Sequence, residues 1–408
     1  VTDVVYGLFH LYQDNDLSPE DFLKNSLSGF ENAYLSRSLS RLFDPINLVF
    51  PAGAQAPPSK EEVASIAKTI ASELNVANVD ANLSVSVSRN VEKTIKLYTA
   101  KSEQLLVTSS DAYQVEMEVS GAQQKNAAIV NMLYEIHQST TKILGNISLP
   151  KHAKGAITEA LKDLISLMEN AIEPLLLSMQ NRMEEIVYKI HSEDFSSAQL
   201  SVNISDTPEA PCSSYINELQ DFITHVKRSI ISLYSCGDFL VNRLNSMAAR
   251  VLHVFVRHVS LLRNLGEGGK LRLAADMAQV EFAVGPLCRR VSDLGQSYKL
   301  LRSFRPLLFQ TGEDISNNPA LGGSLPYSLV LHHLFSQGPS DLRSPHEVKG
   351  WSLNHYSQWL DEHESEEERT TLISVALEVY VQSVRSRGER EFATVYPILL
   401  KVLQSAST

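Results

Sequence analysis

LKDLISLMENAIEPLLLSMQNRMEEIVYKI, residues 161–190, is the stretch whose reading decides the fold. Apolar side chains recur at Leu161, Leu164, Met168, Ile172, Leu175, Met179, Met183, Ile186 and Ile190, in steps of 3 or 4 that repeat every eleven residues. Eleven residues in three turns is about 3.67 per turn, close to the 3.6 of a straight α-helix, so the nine share one stripe about 45 Å long with little supercoiling. That stripe predicts a long helix with one buried face, and Pro174 is expected to kink it. Ile129, Leu133, Ile136, Thr140 and Ile143, and again Ile373, Leu377, Tyr380 and Val384, carry the same spacing and predict two more helices.

Helix boundaries are written in the same vocabulary. Ser18 before Pro19, Glu20 and Asp21 reads as a helix start, with Asp44 and Pro45 as its stop. Ser59 with Glu62, Ser365 with Glu368, and Ser344 with Pro345 and Glu347 have the spacing in which a hydroxyl and a carboxylate satisfy each other's free backbone N–H. Gly388 after Arg385 and Arg387 predicts a C-terminal cap. Strand signals reduce to the alternation of Leu200, Val202 and Ile204, without a hairpin partner and followed by SDTPEAP. Helices without a sheet bury their stripes only against one another, so the expected class is all-α, built of helical bundles with essentially no sheet. SDTPEAP and the loop-rich GEDISNNPALGGSLP (312–326) divide the chain into expected helical regions 1–205, 206–320 and 321–408.

Composition narrows the function. The 408 residues carry a net charge of -11 and are 43% hydrophobic. Phosphate-driven binding draws on many Lys and Arg contacts, so nucleic acid is not an expected partner. Cys212, Cys236 and Cys288 are odd in number and lack metal-ligand spacing, which points to a reducing compartment, the cytosol by default. The sequons at Asn82, Asn146 and Asn203 carry no weight without a secretory signal, and no apolar run approaches the length of a membrane span. A chain opening at Val1 is expected to be a piece of a longer protein.

The search for chemistry finds little. GEGGK (266–270) lacks the preceding strand and the hydroxyl residue of a phosphate loop, and reads as a helix-to-helix turn. His332, His333, His346, His355 and His363 are adjacent or eight to thirteen apart, a poor spacing for helical metal ligands. The acidic run DEHESEEER (361–369) is explained by the positive end of the helix expected after Ser365. No catalytic residue, cofactor site or metal site is expected.

One region stands apart in charge. Residues 249–309 hold Arg250, Arg257, Arg263, Lys270, Arg272, Arg289, Arg290, Lys299, Arg302 and Arg305 against Glu267, Asp276, Glu281 and Asp293. Such a basic island suits either an anionic membrane or acidic partner, or salt bridges to the acidic remainder of the chain. On a helical wheel of MAARVLHVFVRHVSLLR (247–263), Arg250, His253, Arg257 and Ser260 form a polar stripe continuing to Asn264. Met247, Val251, Phe255, His258 and Leu262 lie opposite. His253 is expected in solvent and His258 on the packing side.

The segment GEGGKLRLAADMAQVEFAVGPLCRRVSDLGQSYKLLRSFRPLLF (266–309), with SLPYSLVLHHLF (324–335), QWLDEH (358–363) and ALEVYVQSVRSR (376–387), resembles the subunit 5 family of the conserved oligomeric Golgi complex. The resemblance is specific over residues 250–408; residues 1–210 share only a compatible helical pattern. It implies an elongated rod of stacked helical bundles, and a non-enzymatic role in vesicle tethering for retrograde intra-Golgi transport. It also implies a peripheral place on the cytosolic face of Golgi membranes and in the cytosol, an indirect requirement for glycosylation, and subunit 7 as partner among the other subunits. SNAREs, small GTPases and coiled-coil tethers are further candidate partners. The candidate patch for an acidic partner or membrane is Arg257, Arg263, Lys270, Arg272, Arg289 and Arg290. The alternative is a helical regulator of a small GTPase using an arginine such as Arg257 or Arg305 in trans.

Overall fold

The computed structural model describes residues 19–196 and 212–406. Among them are fifteen α-helices and no strand; the one β-bridge joins Leu321 and Leu325. The class is all-α. The alternation at Leu200–Ile204 and the SDTPEAP stretch lie outside the described residues. The chain forms two compact units, residues 1–175 with 233–236, and 176–232 with 237–408.

The first unit contains helices α1 (Pro19–Val49), α2 (Lys60–Ala77), α3 (Ala81–Glu103) and α4 (Gly121–Asn146), and the first part of α5 (Lys151–Tyr188). Helix α1 packs on α2 and α3, and α2 packs on α3 and α4. Ser59 and Glu62 cap α2 reciprocally, as their spacing predicts. Pro45 does not end α1, which continues to Val49. Leu42, Ile46 and Phe50 are all buried at four-residue spacing, so packing holds the last turn although the ring removes one backbone donor. Arg41 grips Glu73 with Nε at 2.5 Å and Nη2 at 3.0 Å, and the Ser38 hydroxyl donates to the same carboxylate at 2.6 Å, tying α1 to α2. Asn131 on α4 donates to the Leu233 carbonyl and accepts from the Ser235 N–H, which fixes residues 233–236 in this unit.

All nine stripe residues between Leu161 and Ile190 are at most 5% exposed. Full burial of side chains of this size contributes about 1.5–3 kcal/mol each. Helix α5 carries Pro174 within it and ends at Tyr188, and a 3-10 turn, Lys189–Ser192, continues the stripe to Ile190.

The second unit contains α6 (Ser214–Ser229), α7 (Gly237–Ser260), α8 (Glu267–Ala283), α9 (Gln296–Phe304), α10 (Gly312–Ser316), α11 (Tyr327–Ser336), α12 (Pro345–Lys349), α13 (Leu353–Glu362), α14 (Glu366–Ser386) and α15 (Tyr396–Ala406). Helix α6 packs on α8, α7 on α9 and α11, and α11 on α14 and α15. Tyr356, Leu360, Leu261 and Leu372 form a buried cluster backed by Trp351 and Trp359. Ile373, Leu377, Tyr380 and Val384 are buried, and Gly388, at φ 74°, takes the left-handed position that follows α14. Ser344 and Glu347 form a capping box at α12, whereas Ser365 makes no side-chain cap at α14. The working carboxylate at that end is Glu366, which accepts from the Ser328 N–H at 2.8 Å and the Ser328 hydroxyl at 2.6 Å.

Candidate interaction surface

The polar stripe of α7 meets an acidic partner inside its own chain. Arg250 donates to Glu184 through Nε at 2.8 Å and Nη2 at 3.1 Å, and to Asp361 through Nη1 at 2.6 Å and Nη2 at 2.5 Å. Arg257, 2% exposed, donates Nη2 to Asp361 at 2.6 Å and Nη1 to both the carbonyl and the hydroxyl of Ser357 at 2.9 Å. Two guanidiniums and two carboxylates thus tie α5, α7 and α13 together. Burial by itself would push the Asp361 carboxyl up; the hydrogen bonds and charges of Arg250 and Arg257 outweigh it and hold the group well below the usual carboxylate range.

His253, expected in solvent, is half-buried beside this network. Burial, reinforced by Arg257 and Arg250, pushes it down to about 4. His258 lies on the packing side as expected, 3% exposed, its Nδ1 2.9 Å from Nε2 of His191, with Tyr188 edge-on to both rings. Burial pushes His258 to about 3 and His191 to about 4, so both rings are neutral at pH 7 and one donates to the other.

The remaining candidates are scattered in role. Arg263 donates to Glu347 at 3.1 Å, to the Phe335 carbonyl at 3.2 Å and to the Leu342 carbonyl, pinning the end of α11 and its following loop. Arg272 pairs with Glu193 and lies 5.3 Å over the Phe195 ring. Lys270 pairs with Glu267 one turn away on α8. Arg289 and Arg290 have side chains 72% and 78% exposed, in surface pairs with Asp238 and Asp293. Lys299 is also exposed, Arg302 has its side chain 61% exposed beside Glu281, and Phe282 is 72% exposed. The six are therefore not one patch: Arg257, Arg263 and Arg272 serve packing, while Arg289 and Arg290 face solvent.

GEGGK has a steric role that spacing does not reveal. The Gly266 N–H donates to the Phe195 carbonyl at 2.8 Å, and a Cβ at Gly269 would stand 1.9 Å from that same oxygen. Only glycine lets the chain at Phe195 lie against the start of α8. Two turns along, the buried Asp276 accepts from the Ser213 N–H at 2.7 Å, the Ser213 hydroxyl at 2.6 Å and the Tyr215 hydroxyl at 3.0 Å; burial raises its pKa against these bonds. Ser214 closes the arrangement by donating to Glu193 at 2.8 Å. One helix thus fixes the chain on both sides of residues 197–211.

A cleft of about 430 Å³ opens beside this point, lined by His191, Glu193, Arg263, Asn264, His346 and Glu347. Asn264 sits at φ 56°, a left-handed conformation asparagine tolerates. Its charges are mixed and largely paired, and among the described residues no three His, Cys, Asp or Glu side chains are placed to hold a metal. His332 and His333 are buried, one bonded to the Tyr356 hydroxyl at 2.7 Å and the other to the Leu307 carbonyl at 3.3 Å; His355 stacks on Trp351 and His363 on Trp359.

No family model matches the chain. It is 53% identical to conserved oligomeric Golgi complex subunit 5 of mouse over 96% of its own length and 47% of that protein's. With subunit 5 of Arabidopsis thaliana the identity is 32% over 91% and 45%, and with that of Drosophila melanogaster 27% over 86% and 46%. Among solved structures, the C-terminal domain of exocyst subunit Sec6p has a TM-score of 0.41 at 14% identity, covering 94% of this chain and 96% of that one. These relatives are named as subunits of a Golgi complex and not as enzymes. The class is an all-helical protein. The chain belongs to the conserved oligomeric Golgi complex subunit 5 family and spans about half the length of the curated relatives it matches. No helix of the described residues is long and apolar enough to cross a membrane.

Proposed function

We propose that the chain acts as a non-enzymatic subunit of a vesicle-tethering complex in retrograde intra-Golgi transport, through protein–protein contact, and that normal glycosylation depends on it indirectly. The 53% identity to the mouse subunit across 96% of the chain is the observation that supports this most. Its proposed place is the cytosolic face of Golgi membranes and the cytosol, with subunit 7 as direct partner among the other subunits. SNAREs, small GTPases and coiled-coil tethers are proposed contacts of the assembled complex. Regions 1–205, 206–320 and 321–408 are proposed as its helical modules.

Of the six basic candidates, Arg289 and Arg290 are proposed to meet an acidic partner or anionic membrane, with Lys270 at the margin; Arg257, Arg263 and Arg272 support the surface from within. The GTPase-regulator alternative is not favoured, since Arg257 is buried on Asp361 and Ser357 and Arg305 is half-buried. The test is co-expression of the full-length chain with each other subunit, followed by gel filtration. Subunit 7 should co-elute; its failure to do so would overturn the partner assignment.

A further inference from the structure

Helices α4 and α5, joined by residues 147–150, line a groove of about 670 Å³ within the first unit. Its floor is apolar, from Leu144, Leu161 and Ile165, and its walls are small, with Thr141 and Gly145 on one side and Thr158 and Ser166 on the other. Lys154, Lys162 and His137 complete the lining; Lys162 donates to Glu159 at 2.7 Å, and among the described residues no acid lines the groove itself. The first turn of α5 likewise holds no acid, and Lys151 and Lys154 stand there against the positive end of the helix dipole. Cations in that position raise the local potential instead of relieving it, which favours an anionic occupant.

The shape selects the class of occupant. Lining residues run from 137 to 145 on α4 and from 154 to 166 on α5, about 12 and 18 Å at 1.5 Å per residue, which matches two to three turns of helix. The groove is partly open to solvent, unlike the enclosed cavities that bury most of a small ligand, and it is concave, unlike a surface that inserts into a bilayer. We propose that it receives one amphipathic helix of another protein chain. Apolar residues at i, i+3 or i+4, and i+7 of that helix meet Leu144, Leu161 and Ile165, and its Asp or Glu residues meet Lys154 and, one turn away, Lys151. This rests on the reading of the chain as an assembly subunit.

The test places p-benzoylphenylalanine at the exposed Thr158 of the full-length chain in cells, with gel filtration of the complex before irradiation and mass spectrometry after it. If the chain does not elute with other subunits, the subunit reading fails and the groove proposal falls with it. In the assembled complex the expected product is a crosslink to an acidic amphipathic helix of a different chain. Lys151→Glu with Lys154→Glu should lower its yield by about tenfold while the fold is retained. Crosslinks confined to the same chain, crosslinks to lipid, no crosslink in an assembled complex, or a yield indifferent to the charge reversal would each overturn the groove proposal and leave the subunit reading standing.

Discussion

Helix α5 and the turn after it bury nine apolar side chains between Leu161 and Ile190, whereas α7 brings Arg250 and Arg257 onto Glu184 and Asp361. The two modes of attachment fail differently. An apolar stripe loses strength one side chain at a time, because each removal leaves a cavity and the neighbours keep their contacts. A shared carboxylate fails abruptly, because removing Asp361 strands the buried Arg257 without a counter-charge while Arg250 keeps only Glu184.

Asp361→Ala should therefore show the largest loss, about 3–5 kcal/mol in urea denaturation, since Arg257 is left buried without its carboxylate. Replacing both partners, Arg257→Met with Asp361→Leu, should recover at least half of that loss; additive losses would show that the pair is not coupled. Leu164→Ala, at a fully buried position of the stripe, should cost about 3 kcal/mol by the same assay.

Acid separates the two modes further. His191, His253 and His258 have folded pKa values near 4, 4 and 3, below their unfolded value of about 6.5, so the unfolded chain binds more protons. Their contribution is complete above about pH 6.5 and declines as pH falls towards 4, with Asp361 adding a further loss below about pH 4. Thermal melting should fall between pH 7 and pH 5, and His258→Phe should flatten that dependence. The smallest effect is expected from Arg289→Glu with Arg290→Glu, within about 0.5 kcal/mol of the parent, because both pairs are solvated.

What the sequence could and could not disclose follows the same division. The stripes on α4, α5 and α14 and the boxes at Ser59 and Ser344 are local patterns, legible because each residue's environment is set by neighbours three or four positions away. The continuation of α1 past Pro45 was hidden, since tertiary burial of Ile46 and Phe50 overrides a local stop signal. Charge is worse served. The partners of Arg250 lie 66 and 111 positions away, and the partner of Arg272 lies 79 away, so a basic island in the sequence becomes a set of internal ties. His253 followed its arginines for the same reason. The Gly269 contact with Phe195 had no periodic signature; only its glycine content marked it.

The close approach at Gly269 makes the start of α8 a handle for lowering stability without touching the surface. A Cβ there would stand 1.9 Å from the Phe195 carbonyl oxygen, so Gly269→Ala forces the backbone at Phe195 or the helix to move. Thermal melting of Gly269→Ala should fall below that of the parent, giving a temperature-sensitive form of the chain made by one added methyl group.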